Sequence, residues 1–535
     1  AASISSFSDW ASFSISPIRD RLILEKHNDA VFNFWAMLVP EKLVHSNDMF
    51  PKVTLRFYVT ILCSGYFGIL YVFHGHLQQE IQSDKADTAW VKWKNTAYRI
   101  MDKSSYNSTR TEKLNKIDDL TQVTRGPNQQ SMVKDDVVIS HPSSDGTCYL
   151  PSNSITRTFQ FMEKGGIYIY SAYLDERLPD KRFIRIMTLM MSAQKSKKTV
   201  SFFCHFKENL EKHNASIYEL CENHGKEYGG YMVSCAVPKH VTDVCQITVS
   251  AELLSTDSSV KLESTRAITL DVTKLNTKHV QYNYGVCVPP LFGKLRKEQL
   301  IEFIEMHKLL GVGHFIFYNF SIKDAISKKV FNYYSERKEV TVIPWTLPSV
   351  MQGDQIWYHG QLSGHNDCMY RAMSMMKHLA IIDIDEFIVP HKENGTWINS
   401  FDSFFKADTN TCALSFDSAF YDPVLSDKRA SNLITMGSLR RSQQFSHVRT
   451  KVIVQPAKVF ETGIHHVSKP LNEWMKVVKV NTSEAYMHHY RTCVPNYGMK
   501  CSKTISDKTM LQYFKNLKDS VYNVLKEIAI DSVEL

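Results

Sequence analysis

The sequence predicts an α/β fold whose central sheet is rich in parallel strands, entered through a small β-rich domain and preceded by an N-terminal membrane anchor. Three observations predict it. Near the N-terminus, 17 residues without a charge run from Phe57 to Phe73. Between residues 151 and 281, short β-like runs follow one another with turn residues between them. From Tyr284 onward, apolar strand-like runs alternate with helical periodicity.

At about 1.5 Å per residue, Phe57–Phe73 makes a helix of about 25 Å, short but sufficient for a thin early-secretory bilayer. Lys52 and Arg56 precede it, and no Lys or Arg follows until Lys85. The positive-inside rule therefore makes residues 1–56 a cytoplasmic tail, 57–73 an uncleaved signal anchor and the remainder luminal. Within that tail, Met49-Phe-Pro-Lys reads as a natural start, so residues 1–48 are expected to be upstream translation or an alternative exon. A native peptide from residues 7–44 would contradict this. Ten of the 11 cysteines lie beyond the anchor without C-x-x-C spacing, which suits luminal disulfides rather than zinc. Sequons at Asn107, Asn214, Asn319, Asn394 and Asn481 are also luminal on this reading.

Residues 74–150 are polar, with little periodicity, and read as a stem. The runs Thr158–Phe161, Gly166–Tyr170, Thr199–His205, Tyr231–Ala236, Gln246–Ser250 and Ala267–Val272 suggest a sandwich-type β domain over 151–281, in which Cys204 and Cys235 are placed to staple two strands. A larger domain is expected over 282–500. A strand ending in Val-Pro-Pro-Leu-Phe-Gly leads to a helix over Arg296–Leu310, where Leu300, Phe303, Ile304, His307 and Leu310 share one face before Gly311. There follow a strand at His314–Asn319, a helix at Asp324–Arg337, a strand at Val340–Trp345 and a helix at Gly364–Lys377. This β-α-β-α-β-α-β pattern is that of a parallel nucleotide-binding sheet, although G-x-G-x-x-G and the Walker lysine are absent. Over 501–535, Ser506–Ile530 reads as one amphipathic packing helix.

The next strand reads His378-Leu-Ala-Ile-Ile-Asp-Ile-Asp-Glu-Phe-Ile388. An apolar run that ends in acids at i and i+2 can turn Asp383 and Asp385 to one side of an extended chain. Acids placed there suit a hard divalent cation and the phosphates of a nucleotide, which binds at the carboxyl ends of parallel strands. Their bland alternative is a turn or helix cap. The net charge of +8 fits an anionic substrate, or merely a solvated basic surface. No zinc-finger spacing, arginine-rich arm or RNP-like strand points to nucleic acid.

An anchored luminal chain with these features points to glycosyl transfer. Its ordered motifs Cys287-Val-Pro-Pro-Leu-Phe-Gly, Phe303-Ile-Glu-Met-His, Trp357-Tyr-His-Gly-Gln, Asn366-Asp-Cys, Asp383-Ile-Asp-Glu-Phe, Gly463-Ile-His-His and His489-Tyr-Arg resemble those of glycosyltransferase family 92, over about residues 282–495. The resemblance implies a GT-A-type domain, a UDP-galactose donor and Mn2+ (or Mg2+) as cofactor. It further implies inversion to a β-linked, β-1,4-type galactoside on galactose or core fucose of N-glycans. A single-pass type II Golgi membrane protein is expected.

Carried over, Asp383 and Asp385 form the donor and metal motif and His489 the late metal ligand, with His488 as competitor. Inversion needs a carboxylate base, for which Glu461 and Glu386 both qualify. His465 and His466 are expected in the cleft, Trp357 and Tyr358 against uracil or sugar, and Asp367 with Arg371 near the nucleotide loop. Acceptor choice is expected in loops such as Leu347–Ile356 and Asp417–Ser426. Gln455 stands where an arginine is expected, which bears on donor affinity if that arginine meets phosphate. A catalytically inactive, glycan-binding member is the alternative reading. A haloacid-dehalogenase-type phosphatase fits worse, because Phe387 replaces the Thr or Val of its motif.

Overall fold

A computed structural model describes residues 158–529, apart from 197, 207–208, 256–262, 279, 297, 426–430 and 496–499. The expected tail, anchor and stem lie outside the described residues. Among the described residues, no helix is long and apolar enough to cross a membrane.

The β-rich region is built from β1 (Gln160–Phe161), β2 (Tyr168–Leu178), β3 (Lys181–Met191), β4 (Lys198–Phe206), β5 (Asn209–Glu219), β6 (Tyr228–Ala236), β7 (Gln246–Ser255), β8 (Glu263–Ser264) and β9 (Ile268–Lys274). Pairing runs β2–β3–β6–β5–β4–β7–β9. It then returns to β2, because β9 pairs antiparallel with β7 and parallel with β2. The expected sandwich is thus a closed ring, with no free edge among those seven strands. Ile169, Ile186, Phe202, Val233 and Ile247 fill its interior. There Cys204 and Cys235 are disulfide-bonded, as their strand positions suggest.

The second region opens with β10 (Tyr282–Leu291), α1 (Gln299–Leu309), β11 (His314–Asn319), α2 (Ala325–Glu336), β12 (Val340–Pro344), α3 (Gln361–Ala372) and β13 (Met376–Ile381). The four strands lie in the order β12-β11-β10-β13, all parallel. The first two helices form within a few residues of the sequence expectation, whereas α3 starts and ends earlier than expected, Lys377 lying in β13. Asp324 caps α2 by accepting from Ser327 N at 2.8 Å. Continuing the chain are β14 (Glu386–Pro390), α4 (Trp397–Ala407), β15 (Thr411–Phe420), α5 (Ile434–Gly437), β16 (Arg440–Ser442), β17 (Ser446–Val454), β18 (Val459–Thr462), β19 (Val467–Pro470), β20 (Lys476–Lys479), β21 (Ala485–His489), β22 (Thr504–Ser506) and α6 (Phe514–Glu527). From β13 the sheet goes on through β17, β15, β21 and β14 with mixed directions. The C-terminal helix is shorter than its periodicity suggests. Ser506 belongs to β22, and Asp507 accepts from Thr509 N to open a 3-10 turn before α6 starts.

One face of this sheet packs on α1, α2, α4 and α6. The other packs on α3 and on the outer face of the barrel: Tyr170, Tyr173, Met187, Leu189 and Met232 join Trp345, Met369 and Tyr370 in one core. Burying such side chains contributes about 1.5–3 kcal/mol each, so barrel and sheet domain share a core instead of merely touching. Cys287 and Cys368 are disulfide-bonded and tie β10 to α3 across it, so the Cys287-Val-Pro-Pro and Asn366-Asp-Cys motifs meet in space.

Candidate active site

β13 stops at Ile381, so Asp383 and Asp385 do not sit on an extended strand. They flank a tight turn in which Glu386 N donates to Asp383 O at 3.1 Å before β14 begins. Both side chains remain partly exposed at the carboxyl end of the parallel strands, 36% for Asp383 and 29% for Asp385. What fixes the turn is Lys451 on β17, a residue to which no sequence signal points. Its buried ammonium lies 3.1 Å from Asp383 Oδ2 and 3.0 Å from Glu386 Oε2. Glu386 Oε2 also accepts from Asp383 N at 2.8 Å, and Gln361 Nε2 reaches Asp383 Oδ1 at 3.4 Å.

Burial alone would raise the pKa of Asp383, but Lys451 outweighs it and holds the carboxyl below its ordinary value. For Glu386 burial dominates and the pKa is raised despite Lys451. His365, on α3 behind this cluster, is pushed down to about 4 by burial first and Lys451 second, and is therefore neutral.

β14 and β21 pair so that Glu386 stands opposite His489. Strand alternation then separates the two late histidines. His488 is buried between the rings of Tyr421 and Tyr486, whereas His489 faces the acidic turn. His489 Nε2 lies 3.5 Å from Asp385 Oδ2, and its Nδ1 lies 3.6 Å from Glu386 Oε1. Those last two atoms are buried and lack hydrogen-bond partners, so each is the other's natural complement. A carboxylate behind Nδ1 would leave Nε2 free to ligate a metal, the usual arrangement for a metal-binding histidine.

The residues therefore fit a divalent cation that Asp385 and His489 would hold, the carboxylate suiting a hard cation and the imidazole a transition metal. Among the described residues, no group of three or more His, Cys, Asp or Glu side chains is assembled for a metal, so a cation there would need further ligands from water and substrate phosphate. Asp383 is neutralised by Lys451 and shapes the turn.

Several expected site residues are placed otherwise. Asp367 is fully buried and accepts from Ser171 Oγ at 2.5 Å, Tyr173 OH at 2.7 Å, Tyr318 OH and Arg371 Nη2 at 3.2 Å. Asp367 and Arg371 therefore anchor the barrel to α3 and are not donor-binding residues. Glu461 is equally sealed. Its oxygens accept from Tyr218 OH at 2.7 Å and Cys221 N at 2.8 Å, both from the barrel side, so an acceptor hydroxyl has no path to it. Glu386, 1% exposed, is closed to substrate and orients its neighbours. Gln455 bonds Thr411 O, four residues past Lys451 and away from the acidic turn, so its departure from arginine does not touch the site.

The structure places the remaining expected residues as follows. His465 Nδ1 lies 3.0 Å from Thr450 O, next to Lys451, and His466 is exposed. Trp357 packs at 4.1 Å on His224 of the barrel, but Tyr358 is 53% exposed beside Phe292. Tyr358 and His359 both adopt positive φ, 41° and 58°, a conformation that costs non-glycine residues and is held here by Trp345 Nε1 donating to His359 O. The turn ends at Gln361, which contacts Asp383.

Residues 282–528, which begin with β10 and end in α6, match the family model of glycosyltransferase family 92. The chain is 27% identical over 329 residues to a β-1,4-galactosyltransferase of Caenorhabditis elegans, covering 61% of this chain and 74% of that protein. It is 24% identical over 263 residues to a galactan β-1,4-galactosyltransferase of Arabidopsis thaliana, covering 48% of this chain and 51% of that protein. The likeness to a solved apo bifunctional glycosyltransferase has a TM-score of 0.23 at 9% identity, over 49% of this chain and 55% of that one, and carries no argument. The ordered motifs, the acidic turn they build and this match agree: residues 282–528 form a glycosyltransferase family 92 domain.

Proposed function

We propose that this chain transfers galactose from UDP-galactose, with inversion, into a β linkage of the β-1,4 type on galactose or core fucose of N-glycans. Mn2+ is its proposed cofactor. The observation that carries the reading is the Asp383–Asp385 turn at the carboxyl end of a parallel sheet, facing His489, within the family domain. The names of the two relatives support galactose as the sugar and β-1,4 as the linkage, and the mixed sheet fits the GT-A-type expectation.

In this mechanism Asp385 and His489 hold the cation, and Glu386 fixes the imidazole through Nδ1. Lys451 keeps the turn closed and cancels one of the three acidic charges, so that a dianionic diphosphate is not repelled. Tyr358 offers its exposed ring to the base or sugar, and Gln361 and Asp383 offer polar atoms between the ring and the cation. A bound Mn2+ would act as a Lewis acid on the departing diphosphate. The setting proposed is the Golgi lumen, with the chain anchored through residues 57–73.

Chelation tests the metal part. Treatment with EDTA is expected to abolish transfer of hexose to mixed N-glycans, and added Mn2+ to restore it. Transfer that survives exhaustive chelation would sink the metal assignment. Glu461→Gln separates the interface from the chemistry. It is expected to lower stability by about 1–3 kcal/mol through its two lost or weakened hydrogen bonds, while kcat of the folded enzyme stays within a few-fold. A kcat loss of 100-fold at unchanged stability would restore Glu461 as the base.

A further inference from the structure

We propose that Glu222, supplied by the β-barrel, is the base that takes the proton from the acceptor hydroxyl, so that the barrel completes the active site. The proposal rests on the inverting-transferase reading above. With Glu461 and Glu386 both sealed, the acceptor side of the cleft needs another carboxylate. The connection between β5 and β6 supplies one.

That connection leaves the barrel and reaches two loops of the catalytic domain. Tyr228 N donates to Gln355 O at 2.9 Å, His224 packs on Trp357, and Lys226 Nζ pairs with Asp354 at 2.5 Å. On the other side, Glu222 Oε2 accepts from Ile464 N at 2.6 Å. The approach depends on Gly463, where an added Cβ would fall 2.7 Å from that oxygen. Glu222 Oε1 is left facing His466 Nδ1 at 3.9 Å, on a ring that is 53% exposed.

Glu222 itself is 19% exposed and lines a small cleft with Asn223, Trp357 and Ser363. It is thus held in place yet reachable. The segment that Glu222 holds is linked to the acidic turn through the chain. His465, next to Ile464, is hydrogen-bonded to Thr450, and Lys451 after Thr450 holds Asp383.

The step balances without any added reagent. The acceptor O–H gives its proton to Glu222 as its oxygen forms a bond to the sugar's anomeric carbon. The bond from that carbon to the diphosphate oxygen breaks, and its electron pair leaves with the nucleotide diphosphate. His466 lies beside the carboxylate and can relay the proton to solvent.

Glu222→Gln and Glu222→Asp in the full chain test this. The amide oxygen of glutamine can still accept from Ile464 N, so donor affinity, measured by calorimetry with UDP-galactose and Mn2+, is expected to stay within threefold. Removing a positioned base costs about 10²–10⁴-fold in rate, so kcat of Glu222→Gln is expected to fall by that much. Glu222→Asp, with its carboxylate retracted, is expected to recover part of it. Wild-type kcat in Glu222→Gln overturns the proposal. So does a parallel loss of donor affinity and kcat in both variants, which would make Glu222 a structural contact. If the wild-type chain transfers no sugar at all, the transferase reading falls and takes this proposal with it.

Discussion

Asp385→Ala is expected to cut sugar transfer by about 10³-fold or more. The metal it is proposed to help hold would supply several kcal/mol of charge stabilisation in the transition state, and each 1.4 kcal/mol is about tenfold in rate. His489→Ala is expected to act alike, because Asp385 and His489 are the pair of side chains that converge on this position. Glu386→Gln should be milder. It removes the carboxylate behind Nδ1 of His489 and is expected to weaken Mn2+ binding by about 10–100-fold, with rates recovering as Mn2+ is raised. Calorimetric titration with Mn2+ alone checks all three without relying on activity. Unchanged Mn2+ affinity in Asp385→Ala would remove this carboxylate from the metal site.

Lys451→Met is expected to be the most destabilising single change near the site. The ammonium is buried between Asp383 and Glu386, and methionine leaves two carboxylates facing each other without a counter-charge. Breaking a buried ion pair from one side costs about 3–5 kcal/mol. Lys451→Met with Glu386→Gln, which removes one charge of each sign, is expected to recover part of that loss. Denaturant unfolding of the full chain measures both. A loss below about 1 kcal/mol in the single variant would mean that the ion pairs contribute little to holding the turn.

Much of this architecture is legible in the sequence because its cause is local. The strands and helices from Tyr282 to Ile381 announce themselves by periodicity and by caps such as Asp324, and the acids of the turn stand out against the apolar strand before them. Features that depend on strands far apart in sequence do not. Closure of the barrel requires β9 to pair with β2 through residues 100 positions apart, and no local pattern encodes that parallel pairing.

The same separation explains the site residues that the sequence misplaces or omits. Asp367 and Arg371 look like a functional pair one helical turn apart, but their environment is made by Ser171 and Tyr173 of the barrel. Glu461 sits beside a histidine-rich motif and is sealed by Tyr218 and Cys221, more than 200 residues earlier. Lys451 precedes the apolar run Val452–Val454, and a lysine beside such a run normally reaches solvent. Only the fold shows that two carboxylates bury it. His489 and His488, by contrast, are separated by strand alternation once β21 is known to be a strand.

The most direct test of the account is the reaction itself. The full chain, supplied with Mn2+, mixed N-glycans and a panel of UDP-sugars, should add one hexose, detected by mass spectrometry, from UDP-galactose and from no other donor. A β-galactosidase specific for β-1,4 linkages should remove it. Transfer of a different sugar would contradict the donor assignment. Absence of transfer from every donor, with glycan binding intact, would contradict the enzyme and leave a glycan-binding member of the family.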